Sequence, residues 1–461
     1  MKDRILQTLH DLRTYARTKA CEIALFYQEE DSSLVRFANS AISLNTNEHL
    51  IRLEITAYAG RRRASYEMIT DLNQLAEMRQ GIDTAAEMVA HVQPLAYEPT
   101  VPEFESSFSD ESAYDPALAD FTNADKLATF NAAVTGLESD DLQLSGILSN
   151  GVNTLAQIST RSEATQFFRT TDVQVTAVLA HAAEKWEVQA EQSAQQRSDL
   201  APELLQDELA FLVERFTHDP AEQLPLGSYD LVLGPAATAE LLSMMNWIGF
   251  HGGYMMRGYS CLSEARIGQQ VLSSQIALVD DPTRRETFPF KRDLMGVPRE
   301  RFPFFEEGVF RGFAWPQDDA DEFGKRPTGH TVPHANLAVA GGTEDVGSLR
   351  ALVDAPRDRD LLYIPFLHYM NIVNPTQGLI TGSTRFGALL LRQDGDVVVP
   401  YNVRLTQSVL ALFGEQVAWL SRQTVPYNTS SSYGARNPTA IIVPRFVRVN
   451  GMPISHANAS F

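Results

Sequence analysis

Cysteine is nearly absent: Cys21 and Cys261 are the two in 461 residues. So few exclude a disulfide framework and a cysteine-rich zinc module, and both read as packing residues of a reducing compartment. Positive charge is also short. Lys and Arg number 38 against 58 Asp and Glu, a formal net charge of -20 that repels phosphate backbones and anionic bilayers. Neither nucleic acid nor a membrane surface is an expected partner. No stretch approaches the ~20 apolar residues of a membrane span, and the opening "MKDRILQTLHDLRTYARTKA" interleaves charge with apolar residues, unlike a secretory leader. A cytoplasmic protein is expected.

What is present suffices for sizeable cores, since 44% of the residues are hydrophobic and the length suits two or three domains. Ile5, Leu9, Leu12 and Ala16 form a helical stripe behind Asp3, the expected N-cap. In "LIRLEITAY", Ile51, Leu53, Ile55 and Ala57 alternate with polar neighbours, as in a strand with one wet face. Helical spacing returns at Leu75, Met78, Ile82, Ala86 and Val89. Residues 98–122, rich in Pro, Ser and acids, read as a solvated excursion. A second strand set follows, in which Val173, Val175, Ala177 and Leu179 alternate like the first, hinting at a duplicated strand-and-helix unit. After a helix over 202–217 the proline-bearing "HDPAEQLPLGSYD" places a domain break near 220, giving an N-terminal α+β domain (1–220) and a C-terminal β-rich domain (221–461). Beyond it come short strands ("YDLVLGP", "QIALVDDP", "NLAVAGG", "FGALLLRQDGDVVVPY", "AIIVPRFVRVNG") and two expected helices. One spans about 236–247. The other spans about 405–421, with Leu405, Val409, Leu412, Phe413, Val417 and Leu420 on one face. Strand runs with segregated helices imply an α+β fold class.

The first of those helices, "ELLSMMNWIGFHGGYMMRG", opens with Pro235 at its start and runs into Gly249, Gly252 and Gly253, which allow tight turns or close approach of another chain. Read alone, it is a core helix with a glycine exit. Set in order with "SSQIALVDDPT", "FFEEGVFRGF", "DADEFGKRPTGHT" and "NPTQGLITGSTRFGALLLRQDGDVVVPYNVRL", it makes the C-terminal half resemble the TldD/PmbA family. The resemblance implies a zinc metallopeptidase scaffold. Catalytic, TldD-type members carry H-E-x-x-x-H on this helix, two histidines holding zinc and the glutamate acting as base. A gapless match from Arg257 and Gly258 puts Ser243 at the first histidine, Met244 at the glutamate and Ile248 at the second histidine. A hydroxyl, a thioether and a hydrocarbon do not make that site. The family's further cysteine ligand near the C-terminus is missing too, since no cysteine follows Cys261.

The resemblance therefore implies a TldE (PmbA)-like member without catalytic or metal-ligating residues, paired with a zinc-bearing TldD-like paralogue that acts on unfolded or precursor peptides. His251, Gly252, Gly253, Arg257, Gly378 and Gly382 are the candidate substrate-binding residues, on the expectation that glycine-bearing strand edges hold an extended peptide by strand addition. Two rivals stand beside this reading: a stand-alone, homodimeric peptide-binding or regulatory protein on the same scaffold, and a metal-independent hydrolase. The name "modulator of gyrase" borne by parts of the family finds no DNA-contact mechanism in so acidic a chain.

Other clusters read as ordinary. His330 and His334, separated by Pro333, lack a third ligand and read as polar surface. His251 and Cys261 have no orienting third group for nucleophilic chemistry. The acids of "VDDP" (279–282) and "FEEGV" (305–309) read as solvated turn formers, and "RRR" (61–63) as a hairpin end.

Overall fold

The computed structural model describes residues 1–137, 139–331, 335–430 and 436–461. Helix α1 (Lys2–Ala16) leads into three strands, β1 (Glu22–Ala38), β2 (Ala41–Ala59) and β3 (Arg62–Thr70), closed by α2 (Leu75–His91). After β4 (Phe108–Ala113) and the single turn α3 (Pro116–Ala119), the pattern repeats. Helix α4 (Asn123–Val134) precedes β5 (Leu142–Ser159), β6 (Gln166–His181) and β7 (Glu187–Ala194), and α5 (Pro202–His218) closes the unit. Both triplets join one sheet in the order β3-β2-β1-β5-β6, with β4 and β7 also against β6. The units meet where β1 runs antiparallel to β5, from Ala24 opposite Ser159 to Phe37 opposite Gly146. The hinted duplication is thus a repeated helix, three strands, helix.

Alternation places the core. Ile51, Leu53, Ile55 and Ala57 are buried with Ile5, Leu9 and Leu12 of α1 and Met78, Ile82 and Val89 of α2. Val173, Val175, Ala177 and Leu179 do the same with Phe130 of α4 and with Leu209, Leu212 and Phe216 of α5. That second core continues into Tyr363, Leu389, Leu391, Val397 and Val399, so α5 serves both halves of the chain.

Residues after 220 build a ten-stranded and a six-stranded sheet, and the fold is α+β. Helix α6 (Pro235–Gly249) packs on strand Phe366–Asn374 of the larger sheet and on strands Thr424–Asn428 and Ala440–Pro444 of the smaller. Leu241, Leu242, Met245 and Ile248 enter the core between them.

Three local expectations are corrected. Met1, not Asp3, is the N-cap of α1; Asp3 lies in the first turn, where its charge favours the positive end of the helix dipole. Within residues 98–122, Phe108–Ala113 pairs parallel with β6, and Asp115 caps α3 by accepting from the Ala117 amide at 3.0 Å. An edge strand needs little apolar side chain, so its sequence looks like a loop. Residues 405–421 are not one helix but strand Val403–Ser408, the turn Val409–Leu412 and strand Val417–Leu420. All six apolar residues there are buried as expected, yet Leu405 and Leu420 reach the core from strands.

Candidate functional site

Helix α6 starts with Pro235 at its first turn, where a missing N–H costs nothing. Sandwiched between two sheets, it is buried over most of its circumference. Ser243 and Met244 are half-buried, Met244 lying against the core, and Ile248 is only 3% exposed. Trp247, 41% exposed, is the outward apolar residue.

The glycine exit is a packed corner. Gly252 N–H donates to the Ala314 carbonyl at 2.9 Å, and Ala314 N–H donates to the Phe250 carbonyl at 2.8 Å. A Cβ on Gly252 would stand 2.5 Å from the Trp315 ring, and one on Gly253 would stand 2.2 Å from the Asp319 carboxyl carbon. Close approach explains both glycines without a ligand. Next to them, His251 caps the short helix α7 (Gly252–Met256). Its Nδ1 lies 3.4 Å from the Tyr254 amide and 3.2 Å from Asp319 Oδ2, and its ring stacks on Tyr254 at 4.3 Å. Burial holds the imidazole pKa below its ordinary value, Arg257 adds to that, and Asp319 opposes both. Arg257 pairs with Asp319 at 2.9 Å and with Glu322, both on helix α8 (Gln317–Phe323). His251, Gly252, Gly253 and Arg257 are therefore brought together, clamped onto α8.

Residues 226–456, just over half of the chain, match the profile described as the PmbA/TldA metallopeptidase C-terminal domain. The chain belongs to the TldD/PmbA family. The fold agrees over nearly its full length. TldE from Thermococcus kodakarensis superposes with a TM-score of 0.80 at 15% identity, covering 97% of this chain and 100% of that one. A candidate modulator of DNA gyrase from Bacteroides thetaiotaomicron gives 0.77 at 16% identity, covering 97% and 98%. Another from Thermotoga maritima gives 0.74 at 15% identity, covering 97% and 99%. A search of curated proteins returned no match.

The three α6 positions that the resemblance would give to zinc chemistry do not fit that ion. Ser243, Met244 and Ile248 offer a hydroxyl, a thioether and a hydrocarbon, and Ile248 points into the core. Among the described residues no three His, Cys, Asp or Glu side chains gather in a cation-binding group.

The remaining candidates separate. Gly378 ends the turn Pro375–Gln377 at φ +64, and a Cβ there would meet Cys261 Cβ at 3.3 Å, so it adjoins the corner. Gly382 does not. Its strand, Leu379–Arg385, is paired on both sides, with Phe366–Asn374 and Val403–Ser408, and the Gly382 Cβ position lies 2.1 Å from Met370 Sδ. Strand addition at "NPTQGLITGS" is thereby corrected: among the described residues the unpaired edge belongs to the neighbour Phe366–Asn374, which exposes Tyr369 and Val373. No hydrogen bond joins His251 to Cys261 among the described residues, and burial pushes the Cys261 thiol up to about 12.

His330 is not polar surface but is 2% exposed, its Nδ1 2.6 Å from Asp280 Oδ2. Asp280, read as a solvated turn former, is fully buried: Arg299 donates to both its oxygens at 2.9 Å and the Asn336 amide donates at 2.8 Å. Burial alone would raise the Asp280 pKa, but Arg299 and His330 hold it below the ordinary value. His334 lies outside the described residues. Asp281 accepts from the Thr283 amide, as a turn former should. Arg63 of the hairpin end reaches Asp318 on α8.

Sequence reasoning missed the exposed apolar residues Trp247, Met256 and Tyr259 around the corner. Their signal was Trp247 lying off the apolar stripe of Leu241, Leu242, Met245 and Ile248.

Proposed function

We propose that this chain is the non-catalytic subunit of a TldD/TldE-like zinc metallopeptidase, pairing in the cytoplasm with a metal-bearing paralogue that cleaves unfolded or precursor peptides. The observation that carries this reading is α6. Matched by sequence resemblance to the family's metal helix, it is packed between two sheets and presents Ser243, Met244 and the buried Ile248 where that resemblance calls for donors. Trp247 of α6 and Met256 and Tyr259 in the segment after it are exposed large apolar side chains, and exposed apolar surface of this kind supports a partner interface. Likeness to TldE supports the fold on which such pairing would rest.

A second reading, a stand-alone homodimeric peptide binder, is favoured by the edge of Phe366–Asn374, which has no further strand partner among the described residues and can accept an extended chain. Light scattering and peptide hydrolysis on the chain alone and mixed with a family member bearing H-E-x-x-x-H separate the two. Activity and a heterodimer should appear only in the mixture. Stable homodimers that ignore such a partner would favour the second reading.

A further inference from the structure

Opposite the glycine corner, beyond the start of α6 and about 20 Å along its axis, β7 and α5 face residues 347–350, strand Thr424–Asn428 and Arg445 across a cleft of about 820 Å³. All seven consecutive residues Gln189–Gln195 border it. Side chains of a strand alternate between faces, so a cavity bordered by every one of them meets the strand edge-on. That edge has no strand partner among the described residues, because β7 pairs with β6 alone.

Gln195, at the end of β7, is 2% exposed, yet neither its amide nitrogen nor its amide oxygen has a hydrogen-bond partner among the described residues. Buried amides are almost always satisfied, and an unpaired donor and acceptor side by side match the two groups of a peptide unit. Four residues back on the strand, Glu191 accepts from Gln189 Nε2 at 2.9 Å and is bonded to the Tyr427 side chain. Glu191 is half-buried in the lining of the cleft, with Glu208 of α5 and Glu240 of α6 as acidic neighbours. The three arginines of the cleft are already engaged: Arg445 with Glu208 at 3.4 Å, Arg285 with Asp199 at 2.6 Å and Arg350 with Glu214 at 3.8 Å. No ion pair to Glu191 occurs among the described residues, and acidic side chains outnumber arginines around the cleft, beside apolar walls such as Leu204 and Phe386.

We propose that this cleft binds an extended polypeptide segment added to the free edge of β7, with a lysine or arginine side chain placed on Glu191 and a main-chain amide paired with Gln195. An unpaired strand edge supplies sequence-tolerant main-chain bonds, and the carboxylate supplies selectivity for a basic residue. Glu191 and Gln195 lie about 13 Å apart along the chain, four steps of an extended strand, so a segment reaching both spans about five residues. The site is separate from the α6 corner and does not depend on whether the chain assists a metallopeptidase.

The full-length chain and a fluorescein-labelled heptapeptide of alternating valine and threonine with a central lysine form the test, read by fluorescence anisotropy. The lysine probe should bind saturably, and probes with norleucine or glutamate at the centre should bind at least about tenfold more weakly. Glu191→Gln should weaken the lysine probe by about tenfold and leave the norleucine probe unchanged. Gln195→Leu should weaken both probes while raising the melting temperature, since it removes unpaired buried amide atoms. A purely structural glutamine would instead lower the melting temperature when replaced. Equal binding of lysine and glutamate probes, an unaffected Glu191→Gln variant, or no saturable binding up to about 1 mM would overturn the proposal.

Discussion

Rebuilding the family's metal motif on α6 should damage the fold instead of creating a zinc site. The perturbation is the triple change Ser243→His, Met244→Glu and Ile248→His. Ser243 and Met244 are half-buried and tolerant, so the energy lies at Ile248, 3% exposed in the core with Leu241 and Met245. Losing a fully buried isoleucine side chain forfeits roughly 2–3 kcal/mol of apolar transfer. An imidazole left there without partners adds about 1–3 kcal/mol. The sum, about 3–6 kcal/mol, is a large part of the ~5–15 kcal/mol that holds an ordinary fold together. Zinc at a hundred times its dissociation constant would return about 2.7 kcal/mol if a site formed. Guanidinium unfolding followed by tryptophan fluorescence, with and without zinc, is the assay. The midpoint should fall steeply in both Ile248→His and the triple variant, with no zinc effect. A zinc-dependent rise in the triple variant's midpoint, with one bound metal per chain, would refute the reasoning.

Gly252→Ala and Gly253→Ala should each cost about 1–3 kcal/mol by overpacking against Trp315 and Asp319, seen as lowered unfolding midpoints; unchanged midpoints would free these glycines for a ligand role. Arg436 donates to both Asp172 oxygens, at 2.7 and 2.6 Å, in a buried pair that ties the C-terminal half to β6. Arg436→Met should destabilise by about 3–5 kcal/mol, and adding Asp172→Leu should recover much of it in a double-mutant cycle. Cys261, with its thiol pushed up to about 12, is protonated at pH 8. Mass spectrometry should find it unmodified by iodoacetamide until the protein is denatured. Burial raises Glu191 to about 7 in the folded chain. Because the raised value makes ionisation unfavourable in the fold, the stability due to this group is present at pH 4 and is lost as pH rises through 7. Glu191→Gln should remove that fall between about pH 4.5 and 7 when unfolding free energies are compared.

Where one residue's pattern reports its own surroundings, the sequence was legible. The alternation at Ile51–Ala57 and Val173–Leu179, the stripe of α1 and Pro235 at the start of α6 all correspond to observed elements. Failures arise where a segment's partners come from elsewhere in the chain. Residues 108–113 form a strand because β6 offers an edge, not because their side chains demand it. Leu405, Val409 and Leu420 share burial but not a helix, since burial alone does not distinguish a helical stripe from two strands and a turn. Asp280 looked like a solvated turn acid because Arg299, His330 and Asn336 lie 19, 50 and 56 positions away. In the α6 corner, the chemical nature of Ser243, Met244 and Ile248 was plain from sequence, whereas the steric origin of Gly252 and Gly253 needed Trp315 and Asp319 in place. The β7 cleft gave no motif because its walls come from distant parts of the chain.

The central claim, that this family member carries no catalytic metal of its own, is tested most directly by metal analysis of the purified chain with a parallel assay of unfolded-peptide cleavage. Substoichiometric zinc and no cleavage by the chain alone, with activity appearing on addition of an H-E-x-x-x-H-bearing paralogue, is the predicted result. One zinc per chain together with cleavage by the lone subunit would contradict it.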